Sequence, residues 1–509
     1  MPGPLRTRHL VLLGVCCLHG CARLGPDMTP QREDWTATWR SEAIDTVTET
    51  GAQPDLREWW QVFADPALER LMAEADAHNA GLQIAGLRVL EARAQLGIAQ
   101  AGRFPQVQQV GADVLYTDRR QSGGRNPANS RFWQYSANFD IGWELDFWGR
   151  FARAIESADA AYFAAQANRD DVLVLLHAQM AETYYALRTA EARLRIARDN
   201  AALQHRSFEI TEKLFRSGQT DELDLQQART QYLGTLSTIP EFEGQILRTR
   251  NALAVLIGRP PGTLPNLPEL AAHEGELPLI GRAVLQDVPA NLLLRRPDVR
   301  AAEWQIAAQS ALIGVALADL YPSLTLIGSI GWSASTLGGT PNNFTLLGGP
   351  SLRWNVFDYG RIRNNVRMQD ARLQQLIVAY QESVRQAARE ADDAASGLIK
   401  AFERDVILRD AAISARRSLT LANALYREGY SDFQRVLDAQ RALSAQQDTY
   451  LVNRGSAVSN LIALYKALGG GWHTDQMLVD AATRTQMQQR TDWGVLLDEP
   501  RRVPTGAAP

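Results

Sequence analysis

Hydrophobic and polar positions along this chain follow two different periods. From Trp133 to Leu145 every odd position is apolar or aromatic (Trp133, Tyr135, Ala137, Phe139, Ile141, Trp143, Leu145), with Gln134, Ser136, Asn138, Asp140 and Glu144 between them. Val110, Ala112, Val114 and Tyr116 alternate in the same way ahead of the loop RRQSGGRNPANSR. Further on the pattern returns in Leu324, Leu326, Ile330 and Trp332, then the loop SASTLGGTPNN, then Phe344, Leu346, Leu352 and Trp354. A period of two predicts β-hairpins over 106–146 and 323–356, each with one apolar and one polar face.

Between these stretches the period becomes helical. No proline or glycine occurs between Gly149 and Gly218, and only Gly397 between Gly360 and Gly429. Each span predicts one helix, 150–217 and 361–428, about 100 Å long at 1.5 Å per residue. Phe151, Ile155, Ala158, Tyr162 and Ala165 step by four and three, an apolar seam that needs a neighbouring helix. Return helices over 220–258 and 431–468 supply it, with Pro240 expected to interrupt and kink the first. Shorter helices, about 66–103 and 297–320, precede the hairpins.

The order helix, hairpin, long helix, return helix occurs twice, at 66–258 and 297–469. Trp143 and Trp354 lie 211 residues apart, as do Gly149 and Gly360, Gly218 and Gly429, and Gly258 and Gly469. Upstream, Phe104-Pro105 and Tyr321-Pro322 lie 217 apart. The chain is a tandem duplication. The segments LFRSGQTDELDLQQA and LYREGYSDFQRVLDA are its two matching turns. Gly218 and Gly429 suit the left-handed position after a helix end. Thr220, followed by Asp221 and Glu222, reads as an N-cap with two acids at a helix start, and Ser431 with Gln434 as a capping box.

Composition changes this picture at the N-terminus. Arg6 and Arg8 precede the apolar run LVLLGVCCL, then His19, Gly20 and Cys21, which predicts an export signal over 1–20. The three cysteines are Cys16, Cys17 and Cys21, so cleavage before Cys21 leaves one, at the first mature position. A formal net charge of -4 offers no basic surface, so no nucleic-acid partner is expected. No run of 18 apolar residues crosses a membrane as a helix. Four strands close no barrel alone. Either their apolar faces meet in a sandwich or several chains pool them, and the aromatics at the strand ends of an exported chain favour pooling.

Leu18-His19-Gly20-Cys21 resembles a bacterial lipobox, which implies acylation of Cys21, and Ala22 after it implies the outer membrane. With EWWQVFADPALERLM, LLRRPDVRAAE, NALAVLIGRPPG and the two turns, nearly the whole mature chain resembles the outer membrane factor family of TolC-like efflux ducts, its lipidated OprM-like and NodT-like branch above all. The resemblance implies an α+β membrane protein and a homotrimer. Its hairpins, four strands per chain, share a twelve-stranded outer-membrane β-barrel above a long α-helical coiled-coil periplasmic barrel. A girdle is implied from the arm 21–65, the connector 259–296 and the tail 470–509.

The resemblance also implies site residues and partners. Arg216, Gly218, Thr220 and Asp221, with Arg427, Gly429, Ser431 and Asp432, match the tips that dock a periplasmic adaptor protein. Aligned through VLDAQ, Asp438 matches a gate carboxylate, with Arg441 one turn away pairing to a neighbouring subunit, and Gln434 and Arg435 beside them. The energy source implied is an inner-membrane pump, of RND type in this branch. The chain has no GxxxxGK[ST], HExxH, CxxC or GxSxG, and its histidines lack metal-ligand spacing. No enzyme activity, metal or cofactor is therefore expected beyond lipid on Cys21. The function expected is an outer-membrane export duct, with a structural coiled-coil lipoprotein as the alternative.

Overall fold

The computed structural model describes residues 23–29, 48–49, 56–119, 130–264, 268–272, 274–281, 285–286, 290–336, 343–472 and 477–497. Cys21 and the expected signal 1–20 lie outside them. The elements are α1 (Pro66–His78), α2 (Ala80–Ala101), β1 (Val107–Arg119), β2 (Ser130–Leu145), α3 (Arg150–Arg216), α4 (Glu222–Leu256), α5 (Pro297–Ala318), β3 (Ser323–Ala334), β4 (Asn343–Arg353), α6 (Arg361–Arg427), α7 (Phe433–Ala467) and α8 (Ala481–Arg490).

The two hairpins form one antiparallel sheet in the order β1-β2-β3-β4, so they do not face each other as a sandwich. Register aligns their apolar faces: Val110 lies opposite Phe139, Phe139 opposite Ile330, and Ile330 opposite Leu346. A shift of one residue at any strand would turn its apolar set to the polar side. Tyr116 packs on Trp133 and Trp332 on Phe344 across the strands, with ring centroids 5.2 and 5.5 Å apart. In the isolated chain most of this face is open to solvent, including Val110, Trp133, Trp332, Leu346, Leu352 and Trp354.

Both hairpins pass directly into the long helices. Asp146 accepts from the amides of Phe151 and Ala152, and Asp358 from those of Gly360 and Ile362, so each strand-to-helix turn is capped by its own carboxylate. The Trp143 indole donates to Arg103 O at 3.1 Å and the Trp354 indole to Leu320 O at 3.0 Å, the same bond in each half. Of its 67 residues α3 buries 29, whereas α6 buries 11 of 67. The reason is position. α3 packs on α2, α4, α5 and α7, while α4 and α6 flank the bundle with unpartnered faces.

Three elements differ from the sequence expectation. The helix expected over 66–103 is two helices, because Asn79 ends α1 with an extended backbone and caps α2 by accepting from the Leu82 amide. Its amide group also donates to Leu256 O at 2.9 Å, tying the break to the end of α4. Pro240 does not interrupt α4. In the turn before it, the Ser237 and Thr238 hydroxyls donate to the carbonyls of Gly234 and Thr235 at 2.7 and 2.8 Å, while the ring takes the amide partner only from the carbonyl of Leu236. At the tips, the N-caps are Asp221 and Asp432 rather than Thr220 and Ser431.

Around mid-helix a girdle is lashed on by buried polar side chains. Thr48–Glu49 pairs in parallel with Leu285–Gln286, joining the arm to the connector. Trp59 stacks on Tyr465 with centroids 5.2 Å apart, inside a core with Trp60, Phe63, Leu68, Tyr184 and Leu461. Arg188 is fully buried and donates to Tyr184 Oη, Glu191 and Leu270 O. His177, also fully buried, holds Asp76 through Nε2 at 2.6 Å and Gly471 O through Nδ1 at 2.7 Å. Arg296, within LLRRPDVRAAE, reaches Asp298, Glu390 and Ala467 O. Nearer the sheet, Arg153 donates to Leu24 O, Gly25 O and Asp27, holding the N-terminal arm against Gly314, where a side chain would meet Leu24 O at 2.5 Å.

Burial pushes the Asp170 carboxyl up to about 6 against the pull of Arg169. Burial, reinforced by Asp298, pushes Asp171 to about 6 as well, although Arg296 and Lys466 oppose it. Both folded values lie above the ordinary one, so the folded state binds the extra protons. The stability these groups contribute is present below about pH 4 and lost as pH rises through about 6. Asp171→Asn is therefore expected to raise the melting temperature at pH 7.5, with the gain over wild type shrinking towards pH 4. Thermal melts followed by circular dichroism at both pH values check this; an equal gain at both would refute it.

Candidate functional site: barrel wall and helical tips

The site is a wall with two ends, and each end follows from local sequence. At the lower end both turns close as Schellman motifs: Gln219 N donates to Leu214 O and Tyr430 N to Leu425 O, each at 2.9 Å. Gly218 and Gly429 share φ +74°, a conformation that favours glycine, and a β-carbon at either would meet nothing within 4 Å. Three residues after each glycine stands the cap of the return helix. Asp221 accepts from the Asp224 amide at 3.0 Å and Asp432 from the Arg435 amide at 3.3 Å. A carboxylate outcompetes the preceding hydroxyl for that place, carrying the charge the helix N-terminus favours. Thr220 turns its hydroxyl to Asp224, and Ser431 donates to Asp432 O. Gln434 reaches forward to Asp438 at 3.1 Å, so the expected capping box is not made.

Arg216, Gly218, Asp221, Arg427, Gly429 and Asp432 are exposed, whereas Thr220 and Ser431 are half-buried. Arg216 is held by Glu212 at 2.8 Å. The expected gate residues gather on α7. Asp438 sits 3.6 Å from Arg441, and Arg435 lies 3.9 Å from Asp432. Arg441 Nε donates to Gln231 on α4 at 3.0 Å, so within one chain it bridges the two return helices.

The two tips are also tied to each other, which the sequence did not signal. Tyr426 lies beside Thr211 and Thr220 and packs at a tilt on Phe433 with ring centroids 5.3 Å apart, and burial with nearby Asp224 holds its phenol above the ordinary range. Gln440 donates to Ser207 at 2.7 Å. Around these bonds Ala228, Leu419, Phe433, Val436 and Leu437 form a small core. Gln231, Tyr426, Thr211 and Gln440 were missed because each acts across halves, and no spacing within one half points to its partner.

At the upper end, the four-stranded sheet presents a continuous apolar face on one side and Asp113, Gln134, Ser136, Asn138, Thr325, Ser329 and Arg353 on the other. Its outer edges are β1 and β4. Among the described residues no helix is long and apolar enough to cross a membrane. A sheet with one lipid-compatible face and two open edges, continued into helices about 100 Å long, defines a wall segment of an outer-membrane channel.

The family model for outer membrane efflux proteins matches residues 71–259 and 288–470. The chain belongs to the outer membrane efflux protein family. It is 31% identical over 485 residues to the probable outer membrane lipoprotein SilC of Salmonella typhimurium, covering 92% of this chain and 99% of the relative. It is 32% identical over 447 residues to the pyoverdine export outer membrane protein OpmQ of Pseudomonas putida, covering 86% and 92%. Among solved structures it is similar to the outer-membrane channel OprN, with a TM-score of 0.81 and 32% identity over 89% of this chain and 100% of that one. Its fold is that of a trimeric outer-membrane channel with four strands per chain.

Asp221→Ala and Asp432→Ala each remove one cap, at a cost of about 1 kcal/mol. That loss is expected to speed exchange of the tip amides roughly fivefold without moving exchange in the girdle core. Hydrogen-exchange mass spectrometry of both variants checks it, and unchanged tip exchange would return capping to Thr220 and Ser431.

Proposed function

We propose that the chain is the passive outer-membrane duct of a tripartite export system, a homotrimer that carries small molecules from the periplasm to the exterior. The observation that carries this reading is the sheet: apolar outward, polar inward, and open at both edges. Three copies supply the twelve strands of a barrel, and their helices extend it as a periplasmic cylinder. Arg153 supports a lipid anchor on Cys21. It fixes Leu24 and Gly25 beside Trp148, at the lower end of the sheet, and Cys21 precedes Leu24 by three residues in the sequence. An acyl chain on Cys21 adds a second attachment to the barrel, in keeping with the similarity to SilC, a probable outer membrane lipoprotein.

The tips are the proposed adaptor contacts, through exposed Arg216, Gly218, Asp221, Arg427, Gly429 and Asp432 with half-buried Thr220 and Ser431. Energy comes from an inner-membrane pump, proposed to be proton-driven and of RND type, and the duct itself performs no chemical step. Its polar lining selects little, so the choice of cargo rests with the pump. The proposed gate is Asp438, whose three copies around the axis attract cations, with Arg441 holding it. Within each chain Arg441 also clamps α7 to α4 through Gln231, so opening requires the two return helices to part.

Planar-bilayer conductance of the purified protein tests this, beside the Asp438→Ala, Arg441→Ala double variant. The expected result is a small cation-preferring conductance that rises several-fold in the variant, on the order of what removing a charged constriction gives. An unchanged conductance would move the gate elsewhere, and no pore from either protein would remove the duct reading.

A further inference from the structure

The internal repeat determines how the two free sheet edges meet, given the trimeric duct on which the inference rests. Within one chain the halves join at β2 and β3, where partners have numbers totalling 469, as Leu145 with Leu324. Second strands correspond at an offset of 211, as Trp143 with Trp354. Hairpin partners total 249 in the first half, Val107 with Gly142, and 676 in the second, Ser323 with Arg353. Those totals differ by 427, which leaves an offset of 216 for the first strands. Carried over to β4 of one chain and β1 of the next, the β2–β3 junction predicts partners totalling 464.

We infer that β4 of each protomer closes on β1 of the next in this register, and that closure forms an inter-subunit ion pair between Arg353 and Asp113. The register sets Ser351 opposite Asp113, Leu352 opposite Ala112, Arg353 opposite Gly111 and Trp354 opposite Val110. Faces match throughout: even-numbered residues of both strands are on the apolar side, odd-numbered on the polar side. Tyr116 falls beside Gly348, so a ring covers the gap that the glycine leaves on the lipid face.

A second observation, independent of the repeat, points to the same seam. Asp113 and Arg353 are exposed on the polar face, one on each free edge, and no ion pair joins either to another described residue of its own chain. Placed as diagonal neighbours across the seam, their β-carbons lie about 7 Å apart, within reach of an arginine. Over Gly111, directly opposite Arg353, lies the side chain of Asn138, whose Oδ1 is 2.6 Å from where a β-carbon would stand, so the guanidinium passes beside a polar group on its way to Asp113. The other junction of the sheet has its charge contact at the helix ends instead, where Arg150 meets Asp319 at 3.5 Å. At the corresponding places of the second boundary stand Arg361 and Gly102, so that contact is not repeated and the closing strands supply one of their own.

Introduced cysteines test the register, because Cys16, Cys17 and Cys21 are the chain's own and all lie at its N-terminus. Full-length protein carrying Leu352→Cys with Ala112→Cys, or Ser351→Cys with Asp113→Cys, is oxidised in outer membranes and run without reductant. Covalent trimers are expected from whichever of these adjacent pairs is the closer type, and not from the shifted pairs Leu352→Cys with Val110→Cys or Val114→Cys. Trimers linked only through a shifted pair, or through none while the unlinked trimer persists, would overturn the register and leave the duct standing. A parent protein with no heat-sensitive trimer would overturn the duct reading and the seam with it. Charge reversal tests the pair: Asp113→Arg and Arg353→Asp are each expected to lower the temperature at which the trimer dissociates, and the double reversal to recover most of that loss. Additive losses in the double variant would overturn the ion pair.

Discussion

A β-strand in lipid has no water with which to satisfy its backbone, and each unpaired amide or carbonyl there costs several kcal/mol. Every other feature of this chain answers to that constraint. Its sheet has four strands, with β1 and β4 as edges of 13 and 11 residues. Open edges of that length cannot rest in a bilayer. The chain's apolar face therefore makes sense only in an assembly whose neighbours supply the missing partners, and the number of copies follows from how many strands each contributes.

The helices inherit their arrangement from the sheet. Gly149 and Gly360 take positive φ at the point where each strand turns into a helix, and the aspartate beside each caps that helix. Two long helices thus leave the sheet at places set by strand spacing. α3 and α7 are packed on several sides, whereas α4 and α6 keep open faces, just as β1 and β4 keep open edges. The incompleteness runs the full height of the molecule. Buried arginines then fasten the peripheral segments: each is a charge withdrawn from water, and each is compensated by carboxylates, a phenol or backbone carbonyls drawn from segments far apart in sequence.

Much of this was legible in the residues because it is periodic. The two-residue alternation gives the strands and their faces, glycine-free spans the long helices, and a fixed offset the duplication. What escaped is what periodicity does not encode. Asn79 divides a helix by capping on both sides, which competes on equal terms with helix continuation in a sequence that is otherwise apolar and regular. Pro240 stays inside its helix, where its ring costs one amide bond, to Leu236 O, in a run of 35 residues. The caps at Asp221 and Asp432 fall one residue after the hydroxyls that pattern matching favours. Arg153, Arg188, Arg296 and His177 look like ordinary polar residues on long helices, and only tertiary neighbours reveal that they are buried ties.

The duplication also explains why the two tips cannot be interchangeable, despite sharing a backbone turn. Phe433 begins the second return helix and is buried; its counterpart at the first is Glu222, which is exposed. Leu437 is buried where Gln226 is exposed. The second tip therefore carries the apolar core that holds the pair together, and the first lies against it through Ala228 and Thr220. A ring of three such pairs has sixfold spacing but only threefold chemistry. An adaptor of one sequence meeting all six tips would face alternate surfaces, one firmer and more apolar beneath, one more solvated and acidic at its start. It follows that a partner reading backbone shape at the glycines can treat the tips alike, while one reading side-chain charge must distinguish them.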